Sequence, residues 1–189
     1  LPRWRLWRWW RRLWRRRCIG PVVTMNIKRI TKHLLLTLWQ VNRAFPPKTL
    51  IAIEKAIKAS EATHVGEVRF VVEGALDGTL LFSGQSARER AIDVFSNLRI
   101  WDTEHNNGVL IYLLLADRDV EIVADRWIHA KVSPEEWEKI CRTMETAFKQ
   151  EDYEGGVISG IQAVTRHLTK HFPATGIGRN ELPDKPVVL

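Results

Sequence analysis

Apolar residues recur along this chain with two periods, and the changes between them mark the elements. In residues 25–45, Ile27, Ile30, Leu34, Leu38 and Val41 fall three or four apart, Lys28, Arg29 and Lys32 lie elsewhere on the turn, and Pro46-Pro47 ends the pattern. This spacing predicts an amphipathic helix. Residues 49–60 predict a second helix with Leu50, Ile53 and Ile57 inward. Residues 67–73 alternate instead, with Val68, Phe70 and Val72 on one side, as a half-buried strand does. Residues 76–84 have no period and predict an irregular connection with room for a short strand. Two helix starts are explicit. Ser86-Ala87-Arg88-Glu89 and Ser133-Pro134-Glu135-Glu136 each set a Ser N-cap three residues before a Glu, the second with Pro at the first helical position. The first helix is expected to bury Ala91, Val94, Phe95 and Leu98, and the second Trp137, Ile140, Cys141, Met144 and Phe148. A last helix is predicted over 153–171, carrying Val157, Ile161, Val164 and Leu168 and ending before Pro173.

Between the two capped helices stands the centre of the pattern. Residues 109–116, Val-Leu-Ile-Tyr-Leu-Leu-Leu-Ala, form an unbroken apolar run entered through Asn106-Asn107-Gly108 and left through Asp117-Arg118-Asp119, after which 120–124 reads as another strand. The Asn-Asn-Gly entry suits positive φ angles. A run this apolar needs cover on both faces, so the expectation is an α/β chain, a three-layer α/β/α sandwich with a small central sheet of about four strands. Four regions follow: an Arg/Trp-rich leader over 1–24 outside the fold, the amphipathic helix at 25–46, a compact domain over 47–173, and a loose tail over 174–189.

Charge changes the picture once it is divided. The chain of 189 residues has 29 Lys and Arg against 22 Asp and Glu, but eight of the Arg lie in the first 24 residues with no acid, so residues 25–189 carry 21 basic and 22 acidic groups, or −1. The basic excess is therefore no footprint for nucleic acid on the domain, and no nucleic-acid partner is expected for it. The leader, with five of the nine Trp, suits an anionic membrane surface or single-stranded nucleic acid, but its composition reads more simply as a leader or mis-assigned start. Cys18 and Cys141 do not form a disulfide framework, and no run reaches the roughly 18 apolar residues of a membrane span. A cytoplasmic protein, at most peripheral at the inner face of a membrane, is the expected setting.

Polar chemistry is confined to two clusters at opposite strand ends, one holding Asp102, Glu104, His105, Asn106 and Asn107, the other Asp117, Arg118 and Asp119. Each has a plain reading beside the functional one. Asp117-Arg118-Asp119 is also the polar turn of a hairpin, and His105 is also a solvated loop residue. His129 and Glu121 add no sharper signal. His167 and His171 share a helical face without a third ligand, and two protein ligands fall short of a zinc site. The sequence has no phosphate-binding Gly-rich loop, nucleophile elbow or paired-Cys motif.

The order of the Glu67 strand, the Ser86 helix, Asn106-Asn107-Gly108-Val109-Leu110, Asp117-Arg118, Phe148 and Asp152-Tyr153 with Gly155 resembles the TPM domain family, also called TPM phosphatases, from about residue 47 to 172. The resemblance implies an α/β/α sandwich. It also implies divalent metal bound by acidic loop residues with weak acid phosphatase activity in some members, and accessory roles at membrane complexes in others. Carried onto this chain, the metal candidates are Asp102, Asp117 and Asp119, with Glu104 and Asp125 as further acids, and Arg118 or Arg126 as phosphate clamps. The usual acid before Asn-Gly is Asn106 here, later acidic positions fall near His129 and Ser133, and a Gly-rich stretch is replaced by Asp125-Arg126-Trp127. Ca²⁺ or Mg²⁺ is therefore expected to bind weakly or not at all. Two functions stand: a metal-assisted phosphatase with a partly degenerate acidic site, or a noncatalytic interaction module that docks on a membrane protein complex or an anionic membrane surface through residues 25–45.

Overall fold

The structure, a computed structural model, describes residues 27–36, 38–174 and 180–189. The Arg/Trp-rich leader lies outside the described residues. The elements in order are α1 (Ile27–Leu35), α2 (Leu38–Ala44), α3 (Pro47–Glu61), β1 (Glu67–Glu73), α4 (Gly78–Phe82), α5 (Ala87–Asn97), β2 (Gly108–Leu114), β3 (Asp119–Ala124), α6 (Arg126–His129), α7 (Pro134–Lys149), α8 (Tyr153–His171) and β4 (Val187–Val188). The sheet runs β3-β2-β1-β4, with β1 parallel to β2 and β4 and β2 antiparallel to β3. On one face Val68, Phe70, Val109, Ile111 and Ile122 pack with α3, α7 and α8. On the other Val71, Leu110, Tyr112 and Val123 pack with α5. This is the expected three-layer α/β/α arrangement.

Both predicted capping boxes form, with the Ser86 and Ser133 hydroxyls each accepting from the amide of the Glu three residues on and the Ser amides donating to that Glu's carboxylate in return. Elsewhere the structure departs from the pattern. The single helix expected over 25–45 is two, and the break lies against Gly74 at the end of β1, where a Cβ would crowd Val41 and Leu36. This lets Ile30 pack on one face of the sheet while Val41 and Phe45 pack on the other. Residues 78–82, expected as connection or strand, are the short helix α4. Leu98 is only partly buried, because α5 has ended at Asn97. The strand expected to be half-buried, β1, is buried throughout. Its polar positions are neutralised internally: the Arg90 guanidinium takes both carboxylate oxygens of Glu73 at 2.8–3.1 Å, and the Tyr112 hydroxyl donates to Glu73 at 2.7 Å. Burial, then the neighbouring Glu73 charge, pushes the Tyr112 hydroxyl well above the usual phenol range, so it stays a donor.

The tail expected to be loose instead supplies β4. Val187 and Val188 pair with Val71 and Val72, the Leu189 amide donates to the Val72 carbonyl at 2.9 Å, and the Leu182 amide donates to Glu67 at 3.2 Å. An unpaired strand edge is a costly surface, and Glu61 covers the part β4 does not reach by accepting from the Val68 amide at 2.8 Å. Burial, opposed by that bond and aided by repulsion from Glu67 and Asp184, pushes the Glu61 carboxyl up to about 9. It is a neutral acid at pH 7.

The positive φ at the entry to β2 falls on Asn106 (54°), and Gly108 has another duty. A Cβ at Gly108 would drive into the Ile100 carbonyl oxygen. Gly108→Ala should therefore destabilise by about 1–3 kcal/mol in urea unfolding. Gly78→Ala, whose Cβ meets only the Phe82 ring at 3.6 Å, should be neutral or stabilising by up to about 1 kcal/mol. Equal losses from the two would show that close backbone approach is not what Gly108 provides.

Candidate functional site

The six steps of about 3.3 Å between its seven residues make β2 about 20 Å long, and the two polar clusters sit at its ends. At its start, the Asp125 amide donates to the Gly108 carbonyl at 2.8 Å, which brings the end of β3 beside the Asn106-Asn107 entry. Asp125 caps α6, its Oδ1 accepting from the Arg126 amide at 2.6 Å. Arg126 Nη2 donates to Asn106 Oδ1 at 2.9 Å, and its Nε lies 3.9 Å from Asp125 Oδ1. Burial raises the Asp125 carboxyl above its ordinary value, and the hydrogen bond and charge of Arg126 hold it back. Asn107 is locked in place: its backbone amide donates to Thr103 Oγ1 at 3.1 Å and its Nδ2 donates to the Val65 carbonyl. Glu104, His105, Asn106, Arg126 and Trp127 line an open cleft of about 650 Å³, with Trp127 edge-on to Phe172 at 4.4 Å between ring centres. Asp102 is exposed in the turn before this loop.

At the other end, Arg118 takes the positive φ (53°) of the β2–β3 turn. Asp117 Oδ2 accepts from Arg29 Nε at 2.8 Å and lies 3.2 Å from His33 Nε2. The opposite ring nitrogen, His33 Nδ1, accepts from the Leu76 amide at 3.0 Å, so the imidazole N–H is on Nε2 and faces the carboxylate. Burial would raise the Asp117 carboxyl, but His33 and Arg29 together hold it below its ordinary value. Asp119 goes the other way. Burial first, then the charges of Glu121, Glu145 and Asp117, push it up to about 7.

These contacts give α1 an inverted face. Arg29, Ile30 and buried His33 turn toward the body, while Ile27, Leu34 and Leu35 are 76%, 65% and 74% exposed, flanked by exposed Lys28 and Lys32. Trp39 on α2 is also 65% exposed, with the Arg43 guanidinium 5.5 Å above its ring.

A model of the TPM domain matches residues 42–167. The chain belongs to the TPM domain family. It is similar to the BA42 protein of the psychrophilic bacterium Bizionia argentinensis, at 30% identity and a TM-score of 0.67 over 75% of this chain and 93% of that one. The fold also matches the N-terminal domain of the cg2496 protein of Corynebacterium glutamicum, at 13% identity and a TM-score of 0.50 over 71% of this chain and 81% of that one. No curated protein matches.

The acids assigned by resemblance do not gather in this TPM domain. Asp102 lies at one end of β2 and Asp117 and Asp119 at the other, and Arg118 and Arg126 are separated in the same way, so neither set can enclose one ion or one phosphate. Among the described residues no three His, Cys, Asp or Glu side chains are grouped to hold a metal. The residues present do not fit Ca²⁺ or Mg²⁺, which need several carboxylate or carbonyl oxygens together. His167 lies 5.8 Å from the Trp137 ring and 3.7 Å from Glu136, and no metal group includes His171. The sequence reading missed the inward role of Arg29 and His33. Their i, i+4 spacing, which sets Arg29 and His33 on one face of the helix, was the available signal.

The two aspartates make opposite contributions with pH. A carboxyl held low adds stability above its unfolded value that is lost as pH falls through the folded one, whereas a carboxyl held high costs stability as pH rises toward about 7. Asp119→Asn should therefore stabilise at pH 8 by about 1–2 kcal/mol after allowance for solvent screening, and by less at pH 5. Urea midpoints at the two pH values check this; a gain independent of pH would remove charge repulsion as the cause.

Proposed function

We propose that this TPM domain is a noncatalytic docking module that rests on an anionic lipid surface through α1 and α2. The observation that carries the reading is the inverted face of α1. A surface helix ordinarily turns its apolar stripe to the core, whereas this one is fastened by polar bonds to Asp117 and presents Ile27, Leu34 and Leu35 outward beside two lysines. Charge supports lipid over a protein groove. Residues 25–53 hold five Lys and Arg and no acid, whereas residues 54–189 hold sixteen basic and twenty-two acidic residues. Such a division attracts the amino-terminal end to anionic headgroups and repels the rest, which orients the domain. Among the described residues no helix is long and apolar enough to cross a membrane, so the contact proposed is interfacial.

Metal-assisted phosphate ester hydrolysis, the other function the family suggests, requires acids and arginines to converge on one phosphate. The separation of Asp102 from Asp117 and Asp119, and of Arg126 from Arg118, weighs against it.

A chain begun at Met25, free of the Arg/Trp-rich block, tests the docking reading. It should sediment with phosphatidylserine-containing vesicles and not with pure phosphatidylcholine, and Leu34→Glu/Leu35→Glu should weaken binding by about tenfold or more. Undiminished binding by that variant, shown folded by circular dichroism, would overturn the assignment. Hydrolysis of p-nitrophenyl phosphate stimulated by Ca²⁺ or Mg²⁺ and abolished in Asp125→Asn would restore the hydrolase.

A further inference from the structure

Residues 180–189 cross the outer edge of β1 on a run of carboxyls. The Leu182 amide donates to Glu67 Oε2 at 3.2 Å, the Leu189 amide donates to the Val72 carbonyl at 2.9 Å, and the Leu189 carbonyl accepts from the Gly74 amide at 3.2 Å. Arg69 Nη1 donates to the Lys185 carbonyl at 3.3 Å. Glu61 Oε1 accepts from the Val68 amide, and the Glu61 carboxyl is hydrogen-bonded to Asp184, whose Oδ1 also accepts from Asn180 Nδ2 at 2.7 Å. Ionised carboxylates are acceptors only, so a bond between two carboxyls holds a proton.

We infer that residues 180–189 are an acid-tightened latch on this edge, closed by a proton shared between Glu61 and Asp184. The groups that face Glu61 are Glu67 and Arg69 from β1 and Asp184 from the latch, and Glu67 faces Glu181 and Asp184 as well. Lys58, one turn earlier on α3, is exposed, and the α8 bases His167, Lys170 and His171 are turned to Glu136 on α7. Four acids thus meet one guanidinium where Glu67 and Arg69 are buried, and crowded carboxyls in such a place take up a proton. With the latch closed, burial and the charges of Glu67 and Asp184 hold the Glu61 carboxyl at about 9. Opening readmits water and returns it toward the ordinary carboxyl range. Closing therefore takes up a proton at every pH between those two values, and the closed state weakens as pH rises through that window. The latch also reaches the cleft, since Glu181 Oε2 accepts at 3.0 Å from the amide of Glu104, which lines it. This goes beyond the docking reading and does not depend on it.

Hydrogen exchange on the full chain at pH 6, 7 and 8, corrected for intrinsic rates, tests the latch. Protection of the Leu182, Leu189 and Gly74 amides should fall by up to about tenfold per pH unit, the limit for one proton, while the β2 amides keep theirs. Glu61→Gln offers Asp184 a donor and the Val68 amide an acceptor without a titrating proton, so at pH 8 it should protect the same amides at least about tenfold more than the wild type. Asp184→Asn can donate to an ionised Glu61 and should flatten the pH dependence too, so it carries the test should Glu61→Gln fail to fold. Wild-type protection independent of pH, an unaltered pH dependence in either variant, or a fall shared by β2 would each overturn the inference.

Discussion

Because β2 is paired along both edges and covered on both faces, its seven residues cannot present chemistry to solvent, and the polar residues around it are displaced to its two ends. That enclosure sets the distance between the clusters. It also leaves each end to find its own electrostatic partners: at one, Asp117 is claimed by Arg29 and His33; at the other, Asn106 and Asp125 are claimed by Arg126. The acids form two clusters in space, each closed by a cation from the chain itself.

Periodicity makes the layered fold legible. The apolar run of β2, the two Ser-Glu capping boxes and the 153–171 stripe each express a local rule that tertiary packing does not override. The elements that escape the reading are those decided by partners distant in sequence. Glu67, Arg69 and Glu73 give β1 the alternation of a half-exposed strand, yet the Arg90–Glu73–Tyr112 network and the Lys185 carbonyl let that face be buried. The C-terminal segment has no period of its own and becomes β4 because the edge of β1 needs donors and acceptors.

The candidate site is legible only as a list of residue types. Sequence can show that Asn106 stands where the family usually has an acid, but not that Arg126 folds onto it. Nor can the helical pattern of residues 25–45 indicate which face turns inward, because hydrophobicity alone favours the wrong one. A buried His33, with its Nδ1 accepting from the Leu76 amide and its Nε2 3.2 Å from Asp117, and the Arg29–Asp117 ion pair together fix which face of α1 turns inward. The polar clamp therefore ties the hairpin after β2 to the outward surface of α1.

That link is the central claim, and hydrogen exchange tests it most directly. In Asp117→Asn, Arg29 and His33 lose the charge that holds them, so amides of residues 27–35 should lose protection by about tenfold or more while those of β2 and β3 keep theirs. Unchanged protection across 27–35 in a folded Asp117→Asn protein would show that α1 is held by something other than the carboxylate, and the inverted face would lose its cause.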